Sequence, residues 1–154
     1  TGGAIIYNGE DKKSGGNART RYVTRKVQLA EGFDSGDLRI YLLANKPAGT
    51  NIFVYAKYLS TSDPDLFLDK NYQLLTQING GTFVSADEID YREMTFAPGT
   101  NGVEDNKITY VSSTGTETYS SFITFAIKIV MTSTNTVSVP KIRDLRIIAL
   151  PQSL

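Results

Sequence analysis

The 154-residue sequence contains no cysteine, no histidine and no tryptophan. Without cysteine there is no disulfide, no thiol nucleophile and no thiolate metal site. Without histidine there is no imidazole base, no Ser-His-Asp triad and no imidazole-ligated metal. What remains is oxygen and amine chemistry: paired carboxylates, a calcium site of hard oxygens, or a lysine Schiff base. Charge of one sign is lacking too. Sixteen Lys and Arg balance sixteen Asp and Glu, a formal net charge of +0, so the electrostatic footprint of a nucleic-acid or anionic membrane partner is missing. Long apolar runs are also absent. The longest, around Phe125, is broken by Lys128, so neither a transmembrane span nor a secretion signal is expected. The sequence opens on Thr1 rather than Met, which fits a processed chain or a piece of a longer one.

A chain of this length is expected to form one domain with a full hydrophobic core and no need of crosslinks. Residues 1–20 read as a flexible arm: Gly2, Gly3, Gly9, Gly15 and Gly16 are mixed with polar residues, and only Ala4 to Tyr7 can bury anything. One short strand is expected there, in an arm that either frays or orders on a neighbouring subunit.

Residues 21–154 read as the folded domain. Val23, Val27 and Leu29 alternate with Thr24, Lys26 and Gln28, and Leu38, Ile40 and Leu42 alternate with Arg39, Tyr41 and Leu43. This is the period of half-buried strands. Further β-branched or aromatic stretches run from Ile52 to Leu59, Tyr72 to Ile78, Ile89 to Phe96, Lys107 to Val111, Phe122 to Thr132 and Lys141 to Leu150, each bounded by turn formers. The fold class is therefore all-β: an antiparallel two-sheet sandwich, jelly-roll-like, with a flexible Gly-rich N-terminal arm. Phe122 to Met131 is apolar on both faces, as a central strand should be. Pro140 cannot donate to a ladder, so pairing of the last strand starts after it, with Leu145, Ile147 and Ala149 opposite Arg146, Ile148 and Leu150. Only Ser62 to Lys70 offers a helical turn, with Ser62 or Asp63 as cap and Pro64 at the first position.

Several of these segments also carry a resemblance. The Tyr22-Val23-Thr24-Arg25 strand opening, the Gly32-Phe33-Asp34 turn, Leu38-Arg39-Ile40-Tyr41, the Pro47 to Thr50 turn, Asp69-Lys70-Asn71-Tyr72 and the closing Pro140 to Arg146 segment stand in order along the chain. Together the stretches Arg21 to Leu75 and Phe125 to Leu150 resemble a β-sandwich domain of virion structural proteins (tail, baseplate or fibre-associated) of T4-like tailed bacteriophages and cyanophages. The resemblance implies an architectural role in the virion, with other virion proteins and copies of the chain itself as partners.

The remaining constellations have weaker chemical readings. Asp63, Asp65 and Asp69, with Ser62 and Asn71, supply hard oxygens but lack the fixed glycine and terminal glutamate of a calcium loop, so a capped, solvated turn is expected and no metal. Asp87, Glu88, Asp90 and Glu93 are the best source of a carboxylate pair, yet Asp90 and Glu93 fall on opposite strand faces. No catalytic residue, no cofactor and no enzymatic activity are expected. Tyr55, Tyr58, Tyr72, Tyr91, Tyr110 and Tyr119 suit either half-buried strand positions or stacking on sugars. The alternative function is thus a carbohydrate-binding β-sandwich module, with a glycan as ligand. Arg19, Arg21, Arg25 and Lys26 suit an acidic protein surface, and Arg19, Arg21, Arg25, Tyr55, Tyr72 and Tyr91 are the candidate partner contacts. Charge is segregated along the chain. Residues 1–30 hold six cations against two carboxylates, a net +4, and residues 63–105 hold nine carboxylates against two cations, a net −7. Such segments meet either head to tail between copies or within one subunit.

Overall fold

Strands β1 (Thr20–Val23) and β2 (Val27–Gln28) line one side of β10 (Thr124–Ser133), and β4 (Thr50–Leu59) lines the other. Adding β5 (Gln73–Leu74) beyond β4 completes sheet A of the computed structural model, which describes residues 10–13, 20–98, 108–134 and 137–151. Sheet B runs in the order β11 (Lys141–Pro151), β3 (Ser35–Asn45), β7 (Arg92–Ala97), β6 (Thr76–Asn79). All these pairings are antiparallel, and the two sheets pack face to face as an all-β sandwich. The chain changes sheet between β2 and β3, between β3 and β4, between β5 and β6, between β7 and β10, and between β10 and β11. A hairpin of β8 (Tyr110–Val111) and β9 (Thr118–Tyr119) closes one end.

Alternation decides what is inside. Leu38, Ile40, Leu42 and Ala44 of β3 and Ile52, Val54, Ala56 and Tyr58 of β4 are buried against Phe125, Ile127 and Ile129 of β10 and Met94 and Phe96 of β7. Each aliphatic side chain so removed from water contributes about 1.5–3 kcal/mol before entropic losses. The central position expected for Phe122 to Met131 is observed, because β10 has neighbours on both sides and is buried on both faces. The last strand does begin after Pro140, and Leu145, Ile147 and Ala149 pack on the core. One residue more than simple pairing needs is inserted there. Arg143 faces Leu43 but Arg146 faces Tyr41, and Asp144 takes the left-handed φ of 55°. This bulge lets Ile142 and Leu145, of opposite parity, both point inward.

Three expectations are corrected. Ser62 to Lys70 is not a helix: Asp65 N–H does bond to Asp63 Oδ1 at 2.9 Å, but helical geometry is confined to a 3-10 turn at Phe67–Asp69. Tyr72 to Ile78 is not one strand, since the chain passes from sheet A to sheet B between Leu74 and Thr76. Ile89 to Tyr91 precede β7 as a turn, held by Asp87 Oδ1 accepting the Ile89 N–H at 3.1 Å. Residues 1–9 and 14–19 of the arm, the Ala4 to Tyr7 strand, Arg19, Lys107, Glu104 and Asp105 lie outside the described residues.

Candidate functional site

The outer face of sheet A holds an ionic and aromatic layer. Lys57 of β4 and Lys128 of β10 are neighbours on this face, only 4% and 2% exposed. A lysine buried this far needs a partner. Lys128 Nζ ion-pairs with Glu10 Oε2 at 3.0 Å and also donates to the Glu10 carbonyl, so a four-residue piece of the arm lies across the central strand. Tyr72 N–H donates to Asp11 O at 2.7 Å and anchors the same piece. Lys57 instead lies over the rings of Tyr72, at 4.5 Å, and Phe67, at 5.5 Å. Burial, and secondarily the charge of Lys128, lowers the Lys57 pKa. The Tyr72 ring serves both lysines, with Lys128 Nζ 4.4 Å from its centre, and Tyr55 lies under Lys128 at 5.2 Å.

A second ionic cluster ties the β4–β5 connection to the β8–β9 hairpin. Lys70 Nζ reaches Asp63 and Asp65, each at 2.5 Å. Tyr110 O–H donates to Asp63 at 2.9 Å and accepts the Ser60 N–H at 2.6 Å. Ser113 N–H donates to Asp65 at 3.0 Å. The Lys70 hydrogen bond, then that of Ser113, holds the Asp65 carboxyl down at about 2. Burial opposes charge on Lys70, but the bonds to Asp63 and Asp65 outweigh it and its pKa is raised. The expected solvated turn is therefore a buried ion cluster in which an ammonium stands among the oxygens once weighed for calcium. Above it opens a groove of about 580 Å³ lined by Lys13, Asn71, Gln73, Val111 and Ser112 to Gly115, with Tyr58 and Tyr110 at its floor. Tyr58 stacks with Tyr110, packs at a tilt against Phe122 and is 2% exposed, and its hydroxyl has no hydrogen-bond partner among the described residues. Burial drives its pKa upward.

The carboxylates around Tyr91 are likewise engaged. Asp90 accepts from Arg92 at 3.1 Å and from Ala86 N–H at 2.9 Å, which lower its pKa in that order. Glu93 pairs with Arg146 at 3.1 Å. Tyr91 is capped by the Arg143 guanidinium, 3.8 Å from its ring centre.

The third feature is the β1–β2 edge. Every residue of both strands is exposed, Tyr22 at 53% and Val23 at 48%, and among the described residues no strand pairs with the outer side. Arg21 reaches Glu10 at 3.6 Å, whereas Arg25 is exposed between the two strands.

The candidate contacts thus fall in three places. Arg21 and Arg25 lie on the edge, Tyr55 and Tyr72 lie under the lysines of sheet A, and Tyr91 is covered on sheet B. The six tyrosines weighed as a sugar platform do not share a face, because Tyr58, Tyr110 and Tyr119 are core residues. Sequence reasoning missed Lys57, Lys128 and Glu10 as a unit. The signal was Lys128 itself, a cation inside a strand that is otherwise apolar on both faces. Part of the segregated charge meets within the subunit, in the Lys13–Asp69 pair at 3.2 Å. No family model matches the chain, and no curated protein or solved structure is significantly similar to it.

Proposed function

We propose that the chain is a non-enzymatic structural domain acting by protein-protein assembly and that, as the resemblance implies, it is a component of a tailed-phage virion in the tail, baseplate or fibre attachment. The observation that carries protein binding is the β1–β2 edge. A sandwich strand normally turns one face to the core, yet Thr20 to Val23 are exposed throughout, and Tyr22, Val23 and Val27 expose large apolar side chains. Such an edge favours a protein partner. The internal ion clusters fit the same reading: Asp63, Asp65, Asp90 and Glu93 each hold a cation of the chain itself, so these four are engaged rather than poised for acid-base work.

The test is incorporation into particles. Mass spectrometry of purified particles from a phage carrying the gene is expected to find the chain at a fixed copy number. A Tyr22→Lys/Val27→Lys variant, checked for an unchanged melting temperature, is expected to enter particles about tenfold less. Absence of the chain from particles overturns the virion assignment, and tight, saturable binding of a glycan array by the monomer would favour the carbohydrate module.

A further inference from the structure

The two ends of the sandwich carry complementary surfaces, and strand β3 runs from one to the other. The turn before Ser35 stands at its start, and Asn45, Pro47 and Ala48 stand at its end, about 35 Å away along an eleven-residue strand. The first end presents a knob. Phe33 is 71% exposed on a turn closed by its N–H bond to Ala30 O at 3.1 Å, with Gly32 supplying the left-handed φ of 87°. Leu29 N–H bonds to Ile123 O and Ser35 pairs with Phe122, so this turn lies at the end of β10 where β2 joins it. The exposed Arg25 and Lys26 immediately precede β2.

The other end presents a hole. A cleft of about 480 Å³ opens between the β3–β4 turn, the loop before β7 and the lead into β11. Pro47, Ala48, Val84 and Val139 give it apolar walls, and Asp87, Glu88 and Lys141 line it as well. Its loop is fastened to β3. Ser85 N–H donates to Lys46 O and Lys46 N–H to Ser85 Oγ, both at 2.8 Å, and Asn45 Nδ2 donates to Asp87 O at 2.7 Å.

The charges of the two ends match in sign. Arg25 and Lys26 take no ion pair among the described residues, and neither do Asp87 and Glu88. Glu31, exposed beside Phe33, has its counterpart in Lys141. The length of β3 keeps these groups apart within one subunit, so they meet only between copies. An aromatic anchor entering an apolar pocket with opposite charges around it is the usual anatomy of a protein contact. Because the two surfaces differ and stand at opposite ends, the contact repeats as an open row instead of closing on a dimer.

We propose that the chain associates with copies of itself head to tail, with Phe33 of one copy seated in the valine-walled cleft of the next, Arg25 and Lys26 facing Asp87 and Glu88, and Glu31 facing Lys141. This rests on the assembly reading and names a second copy as one partner.

Sedimentation equilibrium of the full chain tests this. The weight-average mass is expected to rise past that of a dimer between about 10 μM and 1 mM protein, and association to weaken at least about tenfold between about 0.05 and 0.5 M salt. Phe33→Ser, Arg25→Glu/Lys26→Glu and Asp87→Lys/Glu88→Lys, each checked for an unchanged melting temperature, are each expected to weaken association at least about tenfold. Mixed one to one, the two charge-reversed variants restore opposite signs at every contact and are expected to associate at least about tenfold more tightly than either alone. Misfolding of either variant could not produce that recovery. A chain that stays monomeric over this range, growth that stops at a dimer, association untouched by Phe33→Ser, or a mixture no tighter than its components would each overturn the proposal. The particle experiment separates the two readings. A chain that is monomeric in solution yet enters particles through Tyr22 and Val27 loses this contact and keeps the assembly reading. A chain that associates head to tail but is absent from particles keeps the contact and loses the virion assignment.

Discussion

Two lysines on one sheet face illustrate how burial alone does not set the worth of a charge. Lys128 has a carboxylate partner that is itself buried, so Lys128→Met takes the buried ammonium away from the Glu10 carboxylate. We expect a loss of about 3 kcal/mol by urea denaturation. Lys57 has aromatic rings and, among the described residues, no buried carboxylate to strand. Lys57→Met is therefore expected to stay within about 1 kcal/mol of the parent in the same measurement. Tyr58 is the opposite case, a buried hydroxyl lacking a partner. Tyr58→Phe keeps the ring contacts with Tyr110 and Phe122 and removes a desolvated polar atom, so it is expected to stabilise the fold by about 1 kcal/mol, seen as a raised melting temperature. The Asp65 carboxyl has a folded pKa of about 2 against an ordinary 3.8. A depressed pKa stabilises above the unfolded value and ceases to as pH falls through the folded one. The melting temperature should therefore decline between about pH 4 and 2, and Asp65→Asn should decline less over the same interval.

At the scale of elements, the bulge in β11 does what no side chain there could do by itself. Deleting Asp144 would remove the bulge and leave simple alternation, with Leu145, Ile147 and Ala149 still inward opposite Leu42, Ile40 and Leu38. A gentler test is Asp144→Val, which keeps the length but forces a β-branched residue into left-handed backbone at φ 55°. The expected loss is about 1–2 kcal/mol, whereas Asp144→Gly is expected to lose nothing, both by chemical denaturation. The strands themselves were legible in the sequence wherever period-two alternation was long, as from Leu38 to Leu42 and from Phe122 to Met131, and Pro140 located the start of the last one. The bulge was not legible, because both Ile142 and Leu145 are apolar and either parity looks sensible locally. Nor was the turn at Phe67–Asp69: Pro64 and the Asp63 cap are good helix openers, but Lys70 is drawn back to Asp63 and Asp65 and ends the helical path. The same limit applied to the candidate site. Arg21 and Arg25 were legible as exposed cations, while the openness of their strand depends on which strands lie beside β10. The Glu10–Lys128 pair joins residues far apart in the sequence, so the cation inside an apolar strand marked Lys128 but nothing local marked Glu10 as its partner.

For the molecule as a whole, non-local pairing dominates. The first strand, the last two long strands and β4 meet only through contacts that span much of the chain. Such a topology refolds slowly for its size, and stopped-flow tyrosine fluorescence is expected to place refolding in about the millisecond-to-second range. The central place of β10 in sheet A also bears on how the chain is made. Its partners β1 and β4 leave the ribosome long before residues 124–133 do, whereas β3, β7 and β6 of sheet B have one another by residue 97. During synthesis sheet B has three of its four strands in hand, lacking only the edge strand β11, while sheet A waits for its middle. Nascent β4, with Ile52, Val54, Ala56 and Tyr58 uncovered on one side, is then the segment most in need of a chaperone.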